Sequence, residues 1–130
     1  MRKSYQYERV MNMIDLVRED ETLDDLQLKG IHIIQKKEAF RFGVDAVLLA
    51  NFARVKRGMR VLDLCTGTGI VPFILAGKTE AAHVIGLEIQ SDMVEMAERS
   101  VLYNNLSGRV GFINGDLKDK EMLKEIQKVD

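Results

Sequence analysis

Acidic side chains stand beside glycines at three points in the second half of the sequence. Asp63 begins the run Asp-Leu-Cys-Thr-Gly-Thr-Gly, which ends at Gly69. Glu88 ends the run Gly-Leu-Glu, and Asp116 ends the run Asn-Gly-Asp. Glycine lets the backbone bend sharply and come close to a ligand, and a carboxylate accepts hydrogen bonds from hydroxyl, amine and ammonium groups. We therefore predict that these three segments bind one polar ligand of the adenosine type.

Each of the three segments follows a short apolar run that has the length of a β-strand. The apolar patterns predict strands over residues 60–64, 83–88 and 110–114, and helices over residues 70–77, 92–105 and 121–129. Ser91 is the predicted N-cap of the second of these helices. Strands and helices that alternate in this way form right-handed βαβ units on a parallel sheet, and ligands bind beyond the carboxyl ends of its strands. We therefore predict an α/β, Rossmann-like fold in which the three segments meet.

Residues near the glycine loop indicate which adenosine ligand it binds. Pro72 occupies the position where a dinucleotide-binding loop has its third glycine. The carboxylate of Asp63 suits an ammonium group and would lie poorly against a pyrophosphate. Glu88, at the next strand end, can accept the ribose hydroxyls of either kind of ligand. Together these residues favour S-adenosyl-L-methionine, which has an amino-acid tail and no phosphate, over a dinucleotide.

Each candidate acid also has a purely structural interpretation. Asp63 could cap the turn, Glu88 could be a surface acid after a strand, and Asn-Gly-Asp at the third strand end is by itself a turn sequence. In the binding interpretation, Asp116 accepts a hydrogen bond from the adenine amine and the backbone N–H of Leu117 lies near the ring nitrogen. The occurrence of three acids at three successive strand ends favours the binding interpretation.

The N-terminal part of the chain has its own pattern of apolar residues. Apolar residues at helical spacing predict an amphipathic helix over residues 7–19, and residues 26–28 and 31–34 predict a short hairpin. Residues 44–54 are apolar on most of a helical surface and predict a helix that is largely buried.

The composition restricts the class of protein. Cys65 is the single cysteine of the 130 residues, which excludes an internal disulfide and a zinc cluster built from thiolates. Because no histidine is near it in sequence, Cys65 is expected to contribute its backbone rather than act as a nucleophile. No apolar run reaches the roughly 18 residues of a membrane span, and the N-terminus lacks the apolar core of a secretory signal. We therefore expect a cytoplasmic protein with no membrane and no metal partner.

The net charge of −1 conceals an uneven distribution of charge along the chain. Residues 29–60 carry eight basic and two acidic side chains, whereas the segments before and after them are net acidic. A basic segment beside a nucleotide-binding core can attract a polyanion such as RNA. The alternative is that these basic side chains form a solvated surface, and from the charge alone this alternative is favoured over RNA binding.

Several stretches resemble known methyltransferase sequences. Residues 61–69 (VLDLCTGTG), with the acids at the later strand ends, resemble class I S-adenosylmethionine-dependent methyltransferases. Residues 23–35 (LDDLQLKGIHIIQ), 40–53 (FRFGVDAVLLANFA) and 86–90 (GLEIQ) are similar to the bacterial tRNA adenine-N6 methyltransferase family, in the branch found in Gram-positive bacteria. That family modifies the adenine beside the anticodon of a valine tRNA. The resemblance therefore implies tRNA as the substrate of the full-length enzyme.

The resemblance implies contacts with all three parts of the cofactor. These are contacts with the methionine moiety from Asp63, Cys65, Gly67 and Gly69, with the ribose from Glu88 and its neighbour Ile89, and with the adenine from Asp116 and Leu117. The resemblance also brings the segment before the 44–54 helix close to the cofactor, with Gly43 and Asp45 as secondary contacts.

One part of the family pattern is missing from this sequence. The family's catalytic Asn-Pro-Pro-Tyr holds the target amine through a side-chain amide and a backbone carbonyl, with the aromatic ring stacked on a flipped base. The single proline here is Pro72, so that element is not present. We therefore interpret the chain as a truncated N-terminal half of the fold, with a helix, a hairpin and a buried helix in residues 1–55 and the cofactor-binding part in residues 56–130. We expect this piece to be inactive and, if made alone, to be marginally stable or to self-associate through an exposed edge strand.

Other functions stay open on the sequence. The chain could belong to another Asn-Pro-Pro-Tyr methyltransferase that acts on rRNA, DNA or a protein glutamine. It could also be an NAD-dependent oxidoreductase, which Asp63 and Pro72 disfavour, or a non-catalytic nucleotide-binding module. A panel of cofactors and a panel of acceptors for labelled methyl groups would distinguish these functions.

Overall fold

The fold combines an N-terminal β-hairpin with a parallel three-stranded sheet and its helices. The computed structural model describes residues 16–39 and 41–130. In chain order the elements are β1 (Glu21–Asp25), β2 (His32–Lys36), α1 (Val44–Phe52), β3 (Arg60–Leu64), α2 (Ile70–Lys78), β4 (His83–Glu88), α3 (Ser91–Tyr103), β5 (Val110–Asn114) and α4 (Lys120–Glu125). The strands β1 and β2 pair antiparallel, and the parallel sheet has the order β3–β4–β5. The predicted α/β architecture with three parallel strands is confirmed.

The parallel sheet and its helices follow the predicted pattern, with differences at the helix ends. All three strands have the predicted bounds. The N-cap of α3 is Gln90 rather than the predicted Ser91, and its side chain makes no capping hydrogen bond. The same helix ends at Tyr103 rather than at residue 105, because Asn105 has a left-handed backbone with a φ of 55°. The last helix is shorter than predicted and ends at Glu125.

The predicted hairpin forms, but its first strand lies earlier in the sequence than predicted. Residues 26–28 belong to the connection between β1 and β2 instead of to a strand. Asp24 is accommodated within β1 because its carboxylate accepts hydrogen bonds from Gln35 and Arg41. The predicted helix over residues 7–19 falls mostly outside the described residues.

The hydrophobic core is centred on α2, which packs against one face of the parallel sheet. Every residue of α2 from Ile70 to Gly77 is buried, and Phe73 is completely inaccessible. Val84 of β4 and Ile33 of β2 belong to the same buried cluster, so the hairpin and the sheet share one core. The parallel pairing of β3, β4 and β5 places their carboxyl ends side by side.

The helix predicted over residues 44–54 forms as α1 (Val44–Phe52), but the prediction that it is largely buried is wrong. Val44 and Phe52 are 74% and 86% exposed, and Ala50 is the one buried residue of the helix. The helix is apolar on most of its surface, with Asp45 and Asn51 as its polar residues, but only the side that carries Val47 and Ala50 packs against the core. An apolar surface is buried only where another element covers it, and no described element covers the other side of α1.

Side chains of α3 hold the hairpin in place. Arg99 forms a two-pronged ion pair with Glu21 of β1, with N–O distances of 2.7 Å for both prongs. On β2, the backbone N–H of His32 donates to the side chain of Asn104 at 2.9 Å, and the Asn104 amide donates to the His32 carbonyl at 2.6 Å. These bonds satisfy backbone groups on the edge of β2 that faces away from β1, so α3 fixes the position of the hairpin.

Candidate functional site

The glycine loop between β3 and α2 has three residues in the left-handed region of backbone space. Cys65, Gly67 and Gly69 have φ values of 59°, 61° and 90°. A side chain at Gly69 is excluded for a second reason, because a Cβ there would lie 2.5 Å from the ring of Phe112. The backbone N–H of Gly69 donates to the carbonyl of Thr66 at 3.1 Å, which closes the loop. The loop therefore leads directly from the carboxyl end of β3 into the N-terminus of α2, where free N–H groups favour polar and anionic ligand atoms.

Glu88 ends β4 and has only 6% of its surface exposed, so its interpretation as a surface acid is wrong. The backbone N–H of Gly67 donates to Oε2 at 2.9 Å, and the backbone N–H of Gln90 donates to Oε1 at 3.0 Å. The carboxylate thus connects the glycine loop to the end of the neighbouring strand. The side-chain amide of Gln90 also donates to Oε1, at 3.5 Å, whereas Oε2 keeps a second lone pair that can accept a hydrogen bond from a ligand hydroxyl.

Asp63 lies in β3 at the base of the glycine loop. The hydroxyl of Thr66 donates to its Oδ2 at 2.6 Å. Burial raises the pKa of the Asp63 carboxyl above the ordinary aspartate value, and the hydrogen bond from Thr66 opposes that shift. No charged group among the described residues contributes to the shift. The site therefore holds a carboxylate that a cationic ligand group can neutralise.

A cavity of about 220 Å³ opens at the carboxyl ends of the strands. Its lining comes from the loop after β3, from the end of β4 and from the turn after β5: Cys65, Leu87, Glu88, Ile89, Gly115, Asp116 and Leu117. Five of the residues predicted from the sequence are thus brought together at one place. Ligand pockets commonly measure about 300–1,000 Å³, so this cavity suits one portion of a nucleoside-containing cofactor. Asp63, Gly67 and Gly69 do not line it and lie in the adjoining strand and loop.

Two further predicted contacts, Gly43 and Asp45, do not line this cavity. They lie at the N-terminus of α1, and Asp45 is exposed. The Asp45 carboxylate folds back over Gly43, where an added Cβ would lie 2.6 Å from Oδ1. Because Asp45 is exposed and can turn away, this approach does not assign a role to Gly43, and its contact with a cofactor stays a prediction.

Three residues that support the site were not identified from the sequence. Thr66 bonds to Asp63, the ring of Phe112 packs beneath the glycine loop, and the Asn114 amide donates to two carbonyls of the turn after β4 at 3.0 and 2.9 Å. A threonine three residues after an aspartate in a turn is a local pattern that could have indicated the first of these contacts. The other two depend on the pairing of β4 with β5, which a local pattern does not reveal.

The basic segment at residues 29–60 is partly neutralised by acids of the hairpin. Lys36 and Arg41 form ion pairs with aspartates of residues 20–24, and Lys37 donates to a backbone carbonyl of the same region. Arg57 lies 3.8 Å from a glutamate. These contacts favour the interpretation of the segment as a solvated surface over that of an RNA-binding patch.

Among residues 16–39 and 41–130, no group of three or more His, Cys, Asp or Glu side chains could hold a metal ion. Within the same two ranges, no helix combines the length and the apolar character that a bilayer crossing requires.

The part of the chain that holds the glycine loop and the cavity matches a known protein family. A family model described as a methyltransferase domain matches residues 55–130, which is more than half of the chain. The chain belongs to this methyltransferase family. The match confirms the predicted methyltransferase class, and the NAD-dependent alternative is not favoured.

Curated relatives of this methyltransferase chain include tRNA-modifying enzymes. The tRNA1(Val) (adenine(37)-N6)-methyltransferase of Tolumonas auensis is 31% identical over 91 residues, which cover 69% of this chain and 38% of the relative. The chain therefore spans about two fifths of the length of the curated relatives that it matches.

Solved structures share the fold of this methyltransferase chain. The crystal structure of P. horikoshii TYW2 in complex with MeSAdo has a TM-score of 0.64 and 21% identity, over 78% of this chain and 38% of that one. The structure of M. capricolum TrmK in complex with S-adenosyl-homocysteine has a TM-score of 0.57 and 16% identity, over 70% of this chain and 39% of that one. At these identities the likeness shows the fold, and the predicted Rossmann-like methyltransferase fold is confirmed.

Proposed function

We propose that this methyltransferase chain binds S-adenosyl-L-methionine at the carboxyl ends of β3, β4 and β5. The observation that carries the proposal is the cavity at these strand ends, where five residues expected to contact the cofactor come together from three segments. The proposed cofactor-binding part is residues 56–130, with residues 1–55 as an N-terminal part. The family match over residues 55–130 supports this division.

Each part of the cofactor has its own proposed contacts. The half-buried carboxylate of Asp63 has no cationic partner among the described residues and suits the ammonium group. Ile89 and Leu117 are exposed apolar side chains at the cavity and suit the flat adenine and the sugar. Gly43 and Asp45 are proposed as secondary contacts from the start of α1. The full set is Asp63, Cys65, Gly67 and Gly69 for the methionine moiety, Glu88 with Ile89 for the ribose, and Asp116 with Leu117 for the adenine.

Methyl transfer requires alignment of donor and acceptor more than covalent chemistry by the protein. When bound, the cofactor supplies an electrophilic methyl group on its sulfonium. The residues of this chain hold the donor so that the methyl can lie in line with an incoming nucleophile. The Asn-Pro-Pro-Tyr element that orients the acceptor in the resembled family is not among these 130 residues. The share of the reaction proposed for this chain is therefore donor binding.

Cofactor binding is tested by calorimetry on the 130-residue chain. Titration with S-adenosyl-L-methionine and with S-adenosyl-homocysteine is expected to give binding with one site per chain, because both ligands carry the groups that the site recognises. Titration with NAD⁺ is the control and is expected to give no binding heat. A folded chain that binds NAD⁺, or that binds neither S-adenosyl ligand, would contradict the proposal.

We infer that the acceptor of the full-length protein is an adenine amine in tRNA, which would place its activity in the cytoplasm. The names of the curated relatives and the similarity of residues 23–35 and 40–53 to the tRNA adenine-N6 family support this inference. With labelled cofactor, the full-length protein is expected to methylate a valine tRNA and to lose that activity when the adenine beside the anticodon is replaced. Label found only in rRNA, DNA or protein would contradict it.

The 130-residue chain is expected to self-associate at high concentration, because the outer side of α1 is apolar and exposed and β3 is an edge strand of the described sheet. Leu48, at the middle of that side, is 62% exposed, and Leu48→Asp is expected to shift the chain toward the monomer. Sedimentation velocity over a range of concentrations measures the shift. The matched control is Leu102→Asp on α3, where a leucine that is 57% exposed lies away from α1. A wild-type chain that stays monomeric at every concentration would show this expectation to be wrong.

A further inference from the structure

Thr66 is buried in the glycine loop and contacts three different parts of the site. Its hydroxyl donates to Asp63 Oδ2 at 2.6 Å, and its backbone N–H donates to the carbonyl of Leu87 at 3.0 Å. Its methyl group packs against Gly86, where an added Cβ would lie 2.6 Å from it. Only 5% of the residue is exposed. Thr66 therefore joins the loop, the strand β4 and the carboxylate of Asp63.

The hydroxyl of Thr66 donates a hydrogen bond to one oxygen of the half-buried carboxylate of Asp63. Burial disfavours the charged form of Asp63, whereas a hydrogen bond donated to the charged form favours it. A hydrogen bond to Oδ2 also fixes the rotation of the carboxylate and leaves Oδ1 for another donor. The methyl group and the backbone N–H of Thr66 hold its hydroxyl in this position against β4.

We propose that Thr66 is a positioning residue for the cofactor, whose hydroxyl fixes the rotation of the Asp63 carboxylate and aims its second oxygen at the cofactor ammonium. This role rests on the proposed function, because it requires that Asp63 contacts the cofactor. Thr66 itself does not need to touch the ligand.

Among the described residues, no other titratable group around the loop donates a hydrogen bond to the Asp63 carboxylate. Both oxygens of Glu88 accept backbone hydrogen bonds, from Gly67 and from Gln90. Asp116 accepts a hydrogen bond from the backbone of its own turn, and Cys65 is exposed. On the described part of the chain, the hydroxyl of Thr66 is thus the donor that acts on Asp63.

Two substitutions at Thr66 separate the hydroxyl from the methyl group. Thr66→Val keeps the shape and removes the hydroxyl, whereas Thr66→Ser keeps the hydroxyl and removes the methyl. We expect Thr66→Val to weaken binding of S-adenosyl-L-methionine about tenfold at neutral pH, and Thr66→Ser to change it less than about threefold. Calorimetric titration of each folded variant measures these affinities.

The dependence of binding on pH distinguishes positioning of the carboxylate from a merely structural effect. Removal of the hydroxyl raises the pKa of Asp63 further, so the pH below which affinity falls is expected to be higher in Thr66→Val than in the wild type. In Thr66→Ser this pH is expected to stay at the wild-type value. Thr66→Ala lacks the hydroxyl as well and gives the same comparison if the valine variant does not fold.

Two results would overturn the role of Thr66 and leave the proposed function intact. One is wild-type affinity of Thr66→Val at every pH while Asp63→Asn weakens binding. The other is an equal loss in Thr66→Val and Thr66→Ser with an unchanged pH profile, because packing would then explain both. A wild-type chain that does not bind the cofactor would overturn the proposed function, and the role of Thr66 with it.

Discussion

Replacement of Glu21 by glutamine is expected to lower the free energy of unfolding by about 3 kcal/mol. The side chain of Glu21 is completely buried, and both of its oxygens bond to the guanidinium of Arg99 at 2.7 Å. Glutamine keeps the size of the side chain but removes its charge, so the mostly buried Arg99 loses its main counter-charge. Because this ion pair joins β1 to α3, its loss also weakens the attachment of the hairpin to the rest of the fold.

The same ion pair makes stability depend on pH in the acid range. The guanidinium of Arg99 lowers the pKa of Glu21 from 4.5 to about 2, against the opposing effect of burial. A carboxyl whose pKa is lowered by folding contributes stability above its unfolded pKa, and this contribution is lost as the pH falls through its folded pKa. The contribution of Glu21 is therefore present above about pH 4.5 and is lost between that pH and about pH 2. The glutamine variant lacks this part of the acid dependence.

Urea unfolding followed by circular dichroism at pH 7 and at a series of acid pH values measures both effects. The matched control is Glu121→Gln, which makes the same chemical change in an exposed ion pair with Lys124 at 2.8 Å. Exposed pairs contribute little, so the control is expected to change the unfolding free energy by less than about 1 kcal/mol. Equal losses in the two variants would contradict the assigned importance of the Glu21–Arg99 pair.

Replacement of Asp63 by asparagine is expected to weaken binding of S-adenosyl-L-methionine by about 10- to 100-fold. Asparagine has nearly the same shape and can still accept the hydrogen bond from Thr66, but it has no charge for the cofactor ammonium. A hydrogen bond between charged groups contributes about 1.5–3 kcal/mol, and each 1.4 kcal/mol corresponds to a tenfold change in affinity. Because burial disfavours the carboxylate before the ligand binds, the folded variant is expected to be no less stable than the wild type.

The pH dependence of binding gives a second measurement of the role of Asp63. Burial raises the pKa of its carboxyl, so the wild-type affinity is expected to increase as the pH rises through this raised value and the group ionises. The asparagine variant is expected to lack this increase. Asp92→Asn, in the first turn of α3, is the matched control and should bind the cofactor as the wild type does. An asparagine variant at position 63 with wild-type affinity would exclude Asp63 from the site.

Much of the site is already specified by local sequence. Alternation of short, mainly apolar runs with helical patterns predicted β3, β4 and β5 with their observed bounds, because strands of a parallel sheet that helices cover are mainly apolar. The glycines after Asp63 indicated the loop, since left-handed backbone and close packing at Gly69 both exclude a side chain. Parallel pairing then places the strand ends together, which is why Glu88 and Asp116 were expected to share one site and do line one cavity.

Burial was decided by the tertiary structure. The sequences of α1 and α2 are both apolar on most of the helix surface, yet α2 is buried in the core and most of α1 is exposed. Helical periodicity describes the surface of a helix but not what packs against it.

Long-range polar contacts were also decided by the tertiary structure. Arg99 and Glu21 are 78 residues apart, and Glu88 bonds to Gly67 across 21 residues. The sequence alone determined where the fold presents its carboxylates and glycines, because strand length and backbone freedom are local properties. Three carboxylates differ in what they contact: Glu21 holds the hairpin, Glu88 holds the glycine loop, and Asp63 is the one proposed for the cofactor. These differences depend on side chains that only the folded chain brings within hydrogen-bond distance.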